Sequence, residues 1–193
     1  MRRPGVTARV RWVVAVLTVV SATLVGLSGP PAGAWSSDDG TVAVFGGTST
    51  DHGHSVAVDS SGNVYTTGFF GGTVDFDPGA GTTNITSNGS YDVFVLKLDS
   101  SGDLVWAKSF GSTGTDYGFS VAVDSSGNVY TTGYFNETVD FDPGDGTENL
   151  TSNSNRDGFV SKLDSSGNYV WAKSFAGYAA IEVFSVAVDS SGN

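Results

Sequence analysis

The feature that most constrains this chain is a long internal repeat. Residues 55–68 read Ser-Val-Ala-Val-Asp-Ser-Ser-Gly-Asn-Val-Tyr-Thr-Thr-Gly, and the same letters return at 120–133. The motif begins a third time at Ser185, so both spacings are 65 residues. A fixed period of this length is typical of arrays built from one structural unit. The chain is therefore predicted to be modular, with complete units at 55–119 and 120–184.

Each unit is predicted to contain four strands. In the first unit they are strand A at 55–59, strand B at 64–70, strand C at 93–98 and strand D at 104–110. All are short and rich in β-branched or aromatic residues, and turn residues flank them. Asp-Ser-Ser-Gly turns at 59–62 and 99–102 predict two tight hairpins, A–B and C–D. The long B–C connection, 71–92, contains Thr-Val-Asp-Phe-Asp-Pro-Gly at 73–79, where a short extra strand is expected.

The two units are close copies, and the composition agrees with an all-β fold. Roughly two thirds of their positions are identical, which indicates duplication within an array. The differences concentrate in the B–C connection and in 112–118 against 177–183, which are connecting segments. With 27 glycines and a single methionine, the chain is typical of β-structure. Cysteine is absent, so strand pairing and packing must hold the fold together.

The strand pattern indicates how the units pack. Strand C reads Val-Phe-Val-Leu-Lys-Leu at 93–98 and is apolar on both faces. A strand of a two-layer sandwich has one solvated face and would alternate. Sheets stacked face to face around an axis are covered on both sides, as in propellers with about four strands per blade. The expected fold is therefore all-β, a partial β-propeller with two complete four-stranded blades and flanking single strands.

The unit resembles the secreted bacterial β-propeller repeats known as SBBP, which are related to NHL-type blades. The likeness is carried by the motif at 55–68, by Asp-Val-Phe-Val-Leu-Lys-Leu-Asp-Ser-Ser-Gly at 92–102, and by Val105-Trp106. It covers residues from about 40 to 193. The resemblance implies that strand A is innermost and strand D outermost. It implies no particular activity, because propellers carry many unrelated functions.

The flanking segments are predicted to belong to neighbouring blades. Subtracting one period from Phe110-Gly111 gives Phe45-Gly46, which match, so 41–45 within the lead-in segment 35–54 corresponds to the last strand of a preceding blade. Residues 185–193 correspond to the first strand of a following one. A closed ring of four blades needs about 260 residues at this period. We therefore expect further blades from a longer protein, of which this is a fragment, or self-association of copies.

The first 34 residues are typical of an export signal. Four arginines precede an apolar run at 12–27, and helix-breaking residues and Ala-Gly-Ala at 32–34 follow. The run is shorter than the ~20 residues of a membrane span, although an uncleaved N-terminal anchor is the alternative. We expect a secreted or cell-surface protein with no membrane span once the signal is removed.

The charge excludes some partners. The formal charge of −11 becomes −15 once the four arginines of the leader are removed. Phosphate binding requires basic residues, so nucleic acid is not an expected partner. Anionic membrane surfaces are disfavoured for the same reason. A protein or carbohydrate ligand remains the expected partner class.

The best metal candidates are paired carboxylates in the B–C connection. Asp75 and Asp77 stand two residues apart before a Pro-Gly pair, and Asp140 and Asp142 repeat the pattern. Carboxylates at i and i+2 of an extended segment point to the same side, and Ca²⁺ prefers such oxygen ligands. The alternative is that these carboxylates stabilise the turn itself. Calcium needs six to eight oxygens and only two are common to both copies, so the turn-stabilising role is favoured over calcium binding. No other cofactor is expected.

No catalytic group stands out. His52 and His54 are the only histidines, and His54 falls where the other units have Phe119 and Phe184, so packing is favoured over metal binding. Trp106 and Trp171 occupy equivalent positions in strand D, where filling the space between blades is favoured over a sugar-binding platform. The chain lacks cysteine and the Gly-x-Ser-x-Gly pattern of a hydrolase nucleophile.

The sequence therefore predicts an exported repeat scaffold that binds a ligand or a protein and has no catalytic activity of its own. One alternative is a calcium-dependent surface or adhesion protein. Another is a piece of a propeller enzyme, a hydrolase or lyase, whose active site lies in other blades. An enzyme would need polar residues unique to one blade near the strand A ends, whereas the strand A motif is identical in all three copies.

Overall fold

The computed structural model describes residues 43–153 and 155–189. The described chain contains thirteen strands and no helix. The strands are β1 (Gly46–Gly47), β2 (His52–Val58), β3 (Val64–Phe70), β4 (Thr73–Asp75), β5 (Asn84–Thr86), β6 (Asp92–Leu98), β7 (Leu104–Phe110), β8 (Tyr117–Val123), β9 (Val129–Phe135), β10 (Thr138–Asp140), β11 (Asn149–Thr151), β12 (Asp157–Leu163) and β13 (Tyr169–Phe175).

Two antiparallel four-stranded sheets form the body of the molecule. One has the order β2-β3-β6-β7 and the other β8-β9-β12-β13, so each repeat of the sequence is one meandering blade. Strands β6 and β12 are covered on both faces, as their apolar sequences predict. Within the described residues the sheets do not close into a ring. The predicted all-β partial propeller is confirmed.

Strand A begins earlier than the sequence pattern predicts. It starts at His52 and Tyr117, whereas the pattern places its start at the serine three residues later. A β-bulge interrupts the sequence pattern at this point. Gly53 pairs with Gly68 and Ser55 pairs with Thr67, which leaves His54 as the extra residue. Gly68 is required there, because a Cβ on it would clash with the carbonyl of His52. Phe119 is the extra residue in the second blade.

The Asp-Ser-Ser-Gly turns form the predicted hairpins. The Asp59 carboxylate accepts hydrogen bonds from the backbone amides of Ser61 at 2.8 Å and Asn63 at 3.0 Å. Gly62 has a φ of 84°, a conformation that favours glycine. The same arrangement recurs at the other three turns, where the glycines are Gly102, Gly127 and Gly167.

The B–C connections form small hairpins outside the main sheets. Strand β4 pairs with β5, and β10 pairs with β11. The sequence predicts β4 and β10 but not their short partners. Phe76 and Phe141, which follow β4 and β10, are fully buried and tie each small hairpin to its blade.

The two blades pack face to face through a large apolar core. Blade 1 contributes Tyr65, Val93, Val95, Trp106 and Phe110. The facing residues of blade 2 are Val121, Val129, Phe135, Val139, Phe141, Phe159, Leu163 and Ala172. Burying apolar area of this kind is the main favourable term in folding, so this contact holds the two blades together.

The lead-in segment keeps the register of the repeat without forming the predicted strand. Residues 43–45 are not in a strand, and Thr41 and Val42 lie outside the described residues. Phe45 nevertheless packs on Phe76 and Phe94 with ring centroids 5.4 and 5.6 Å away. Phe110 makes the equivalent contacts with Phe141 and Phe159 at 5.0 and 5.5 Å.

The C-terminal segment lies where a third strand A would lie. The described residues after Phe175 form no strand, although the pattern predicts one at 185–193, of which 190–193 lie outside the described residues. The Val186 amide donates to Ser120 Oγ at 3.3 Å, just as the Val121 amide donates to Ser55 Oγ at 3.2 Å. Within the described residues this segment pairs with no neighbouring strand.

The predicted signal segment, 1–34, lies outside the described residues. Among the described residues, no helix is long and apolar enough to cross a membrane.

Candidate functional site

The strand A ends carry a continuous group of aromatic side chains. We call it the aromatic surface, and its members are His52, His54, Phe69, Tyr91, Tyr117, Phe119, Tyr134 and Phe184. The members come from the start of strand A, the end of strand B, the residue before strand C, and the C-terminal segment. The blades meet at this end, so the surface extends across both of them.

The rings of the aromatic surface stack across the blade boundary. Phe69 of blade 1 lies 3.9 Å from Tyr117 of blade 2 with an interplanar angle of 7°. His52 stacks on the other side of Phe69 at 4.9 Å, and Tyr134 follows Tyr117 at 5.0 Å. Tyr91 contacts Phe69 edge to face at 5.0 Å. Offset and edge-to-face pairs of this kind fix the ring positions.

The β-bulges present a second row of rings beside the first. His54 lies 5.4 Å from Phe119, and Phe119 stacks on Phe184 at 5.0 Å. His54 also places Nδ1 2.8 Å from the carbonyl oxygen of Gly118, so Nδ1 carries the proton and donates it. His52 and His54 are exposed, and Phe184 is 67% exposed. Bulges often redirect side chains in this way near functional sites.

A charged pair stands at one end of the aromatic surface. Arg156 takes the repeat position of Tyr91, and Glu182 takes that of Tyr117. Their side chains form an ion pair of 2.7 Å, and the guanidinium lies 4.7 Å from the ring centroid of Tyr134. Burial raises the pKa of Tyr134 to about 12, so this phenol is neutral at physiological pH.

This arrangement is suited to binding. Exposed, rigidly stacked aromatic rings offer apolar contact area at low entropic cost, and an arginine beside them adds directional hydrogen bonding. Tyrosine and arginine are also the residue types that dominate binding energy at protein interfaces. The residue types of the aromatic surface therefore favour recognition.

Two buried carboxylates lie beneath the aromatic surface. Asp92 and Asp116 are fully buried. Asp92 Oδ2 accepts from the Asn88 amide at 2.9 Å, and Asp116 accepts from the amides of Ser112 and Asn136 at 2.6 and 2.8 Å. Burial raises the pKa of each carboxyl to about 6, and the charge of Asp92 adds to the effect on Asp116. Asp116 thus joins Ser112, which follows blade 1, to Asn136 of blade 2.

The proposed calcium carboxylates are engaged by the backbone of their own turn. Asp75 Oδ1 accepts from the amides of Asp77 at 3.1 Å and Thr83 at 2.8 Å, and Asp77 Oδ1 accepts from Gly79 at 2.8 Å. Asp140 and Asp142 repeat this pattern. The geometry is that of a turn-stabilising Asx arrangement. In the described part of the chain, no group of three or more His, Cys, Asp or Glu residues could hold a metal ion.

The other candidate residues pack as the register predicts. His54 lies against Phe69 and Phe119, in the position that aromatics hold elsewhere. Trp106 is buried between the blades and donates through Nε1 to the Ser165 carbonyl at 3.2 Å. Trp171 is half-buried, because no sheet formed by the described residues covers that face of blade 2.

A shallow groove lies at the opposite end, between the hairpin turns of the two blades. Its volume is about 380 Å³, and it is lined by residues including Asp59, Lys97 and Asp124. Both carboxylates already accept hydrogen bonds from their turns, and Lys97 donates to the Ser165 carbonyl at 3.2 Å. Its polar groups thus serve the turns and the blade contact, so the aromatic surface is the stronger candidate.

Sequence reasoning did not identify the aromatic surface or the buried acids. Gly53 and Gly118 conceal the start of strand A, because a glycine next to the motif resembles a loop residue. Asp92 and Asp116 are charged, and such residues are rarely buried. One available signal was the recurrence of an aspartate directly before strand C, at Asp92 and Asp157.

Comparison with known proteins supports the repeat assignment. A family model described as SBBP, beta-propeller repeat, matches residues 44–68 and 105–137. These segments contain β1, β2, β8 and β9 and most of β3 and β7. The predicted resemblance to SBBP repeats is confirmed.

Two curated proteins are similar to part of the chain. One is an uncharacterized WD repeat-containing protein, L264, of Acanthamoeba polyphaga mimivirus, with 32% identity over 111 residues, half of this chain and 8% of that protein. Another is the regulatory protein FlaEY of Caulobacter vibrioides, with 34% identity over 104 residues, 54% of this chain and 11% of that protein. The chain thus spans only about a tenth of the length of these relatives.

Proposed function

We propose that this chain, which carries SBBP beta-propeller repeats, is an exported interaction scaffold that binds its ligand through the aromatic surface and has no catalytic activity of its own. The observation that carries the proposal is the unbroken stack from His52 through the buried Phe69 to Tyr117, which crosses the blade boundary and leaves His52 exposed and Tyr117 partly exposed. Repeat folds commonly bind partners on surfaces that several units build together.

The ligand class is a carbohydrate or a protein at or outside the cell surface. Apolar ring faces beside a guanidinium suit a ligand that combines apolar patches with hydroxyl or carboxylate oxygens. The strongly acidic composition disfavours nucleic acid. The export signal proposed from residues 1–34 is consistent with such a location.

Binding is tested by cosedimentation of the purified protein with insoluble cellulose, chitin and peptidoglycan, and with intact bacterial cells. Periodate treatment of the cells removes a carbohydrate ligand, and trypsin treatment removes a protein ligand. The double variant H52A/F184A removes two exposed rings and is expected to lower binding at least tenfold. The matched control V105A/V170A trims two similarly exposed side chains on the outermost strands.

Equal binding by H52A/F184A and the wild type, or absence of binding to all four materials, would overturn the assignment of the aromatic surface. Release of reducing sugar from the same polysaccharides would overturn the non-enzymatic proposal and support the hydrolase or lyase alternative.

The calcium-dependent alternative makes a separate prediction. If Ca²⁺ binds the folded protein at Asp75 and Asp77, millimolar Ca²⁺ raises the melting temperature by mass action, and D75A/D77A abolishes the rise. Because both carboxylates cap their turn, we expect no rise in the wild type. Thermal melts with Ca²⁺, and with Mg²⁺ as a control ion, distinguish calcium binding from turn stabilisation by these carboxylates.

A further inference from the structure

The chain contains two versions of one structural piece. Shifted by two periods, residues 43–59 correspond to 173–189, with Phe45 matching Phe175, Gly47 matching Gly177, and Ser-Val-Ala-Val-Asp identical at 55–59 and 185–189. Each version runs from the end of a strand D through a connection into a strand A. The first version is paired with blade 1, whereas the second extends from blade 2 and carries no ladder within the described residues.

The two versions leave complementary areas exposed. The first version covers the outer part of its face of blade 1 through Phe45 and leaves Val56 and Val58 about half exposed. The second version covers the inner part of its face of blade 2 and leaves Phe175 48% exposed. The buried contact between blades 1 and 2 shows how such faces fit together, because Phe110 is only 3% exposed there.

We propose that copies of this chain associate head to tail by strand exchange, in which residues 185–189 of one copy replace 55–59 as the partner of β3 in the next. The incoming strand has the same sequence as the one it displaces, so the ladder with β3 is preserved. The displaced segment, 43–59, moves away through the Ser60–Gly62 turn and takes His52 and His54 with it, so the His52–Phe69 stack belongs to the single chain. In the exchanged assembly, Glu182 and Phe184 of the first copy take the two register positions. Blade 1 of the second copy then packs on blade 2 of the first.

The exchange gains contact area that a single copy leaves exposed. Phe175 of the first copy reaches Phe76 and Phe94 of the second, which Phe45 covers in a single chain. Trp171 gains the kind of cover that buries Trp106 between the blades. Each new contact reproduces one already present between blades 1 and 2, so the interface is a continuation of an existing one. A second copy supplies each of these contacts in the exchanged assembly.

The interface joins different faces of the two copies, so it closes into a ring or extends as a filament. Propellers contain four to eight blades. The described residues of each copy supply two blades. Closed rings of this chain then contain two to four copies, and the mass measured by light scattering is expected to be two to four times that of one chain.

Engineered disulfides test the exchange directly, because the chain has no cysteine. Val56 pairs with Thr66 across β2 and β3. The Asp59 amide bonds to the Asn63 carbonyl, so the alternation of an antiparallel ladder makes Val56–Thr66 a non-hydrogen-bonded, closely spaced pair. In the exchanged assembly Val186 takes the place of Val56. The variant T66C/V186C is therefore expected to form disulfides between copies.

Two matched variants control this experiment. T66C/V56C should form its disulfide within one chain and reduce linkage between copies. T66C/A187C places the second thiol on the opposite face of the strand, since successive side chains alternate, and should not link. Non-reducing electrophoresis after mild oxidation distinguishes linkage between copies, linkage within one chain and no linkage.

A proline pair provides the second test. The alternation of the ladder directs the Ala57 amide to the Tyr65 carbonyl, so A57P removes a hydrogen bond of the intramolecular pairing. A187P removes the same bond only in the exchanged assembly. A187P is expected to remain a folded single chain, and A57P to associate more than the wild type.

A wild type with the mass of one chain at all concentrations overturns the proposal. So does association of A187P equal to that of the wild type, or linkage of T66C/V186C no greater than that of T66C/A187C. The disulfide variants remain informative if A57P does not fold.

Discussion

The connections that follow blade 1 and blade 2 differ from each other at every position. The first junction, 111–118, joins β7 to β8, and the second junction, 176–183, follows β13; none of their paired residues is identical. In the first, Asp116 is buried beside Asp92, and Val93 faces Gly118. In the second, Ile181 replaces Asp116, and Gly158 faces Val183. The blades are near copies, but each junction has its own complementary pairs.

The small and the large residue of one contacting pair change places between the two junctions. A Cβ on Gly118 would lie 3.0 Å from Val93 Cγ1, and a Cβ on Gly158 would lie 2.7 Å from Val183 Cγ2. Position 93 is large where position 118 is small, and the reverse holds one period later. The chemistry of a second pair also differs between the junctions. The ring contact of Tyr91 with Tyr117 in the first is replaced by the Arg156–Glu182 ion pair in the second. Near-identical repeats can thus have blade contacts that are specific to each boundary.

The largest expected difference between the two ends concerns one phenylalanine position. F110A removes a ring packed against Phe141 and Phe159, and should lower the free energy of unfolding by about 3–5 kcal/mol. F175A truncates the equivalent ring, which is 48% exposed in a single chain, and should cost that single chain less than about 1 kcal/mol. Urea denaturation of both variants measures the gap, and equal losses would show that the blade contact is not the main stabilising core.

The buried acids should give the first junction a pH dependence. The folded pKa values of Asp92 and Asp116, about 6, exceed the ordinary 3.8, so the folded protein binds more protons between pH 4 and 6. The free energy of unfolding should therefore fall as pH rises through that range, by about 2–3 kcal/mol per carboxyl. The fall continues to about pH 7, above which both carboxyls are ionised in the folded protein and the contribution is constant.

Urea unfolding at pH 4, 5, 6 and 7 measures this slope. D92N should reduce the slope by about half, because the amide does not titrate whereas Asp116 still does. The exposed D145N should leave the slope unchanged. A wild-type stability that rises between pH 4 and 6 would contradict the predicted sign.

Exchanging size across the second junction should have an intermediate effect. G158V places side-chain atoms against Val183 and Ile181, at a cost of about 1–3 kcal/mol. Adding V183G recreates the Val–Gly arrangement of the first junction and should restore most of the loss. Hydrogen exchange reports this locally, because the Val183 amide donates to the Gly133 carbonyl at 3.3 Å. Additive effects of the two substitutions would rule out a direct contact.

The smallest expected effect is that of the exposed ion pair. R156A removes the contact with Glu182 and should cost about 0.2–1 kcal/mol at low salt, with little cost in 1 M NaCl. Y91A, at the equivalent position of blade 1, should show no such salt dependence. Thermal melts of both variants at two salt concentrations test this contrast.

The sequence predicted the parts of the fold that depend on local chemistry. Strands β3 and β7 agree with their predicted limits, because turn residues bound a β-branched or aromatic run on both sides. The Asp59 turn also agrees, since its hydrogen bonds join residues close in sequence. The position of Phe45 followed from register alone and is matched by its packing on Phe76.

The candidate site was less accessible from the sequence. The stack of Phe69 on Tyr117 joins residues from different blades, and no local pattern specifies that contact. Burial of Asp92 also depends on the loops that fold over it, because its stabilising amide comes from Asn88 in the B–C connection. Strand C was placed almost correctly, but its apolar run gave no indication of the acid at its start.

The complementary junction pairs also restrict how such an array can be rearranged over evolutionary time. Placing blade 1 directly before the second junction would bring Val93 against Val183, two large side chains where each now meets a glycine. A recombination event preserves packing only when it copies the end of one blade together with the start of the next. The heritable unit of this array is therefore a segment centred on a junction, and the order of its repeats cannot be permuted freely.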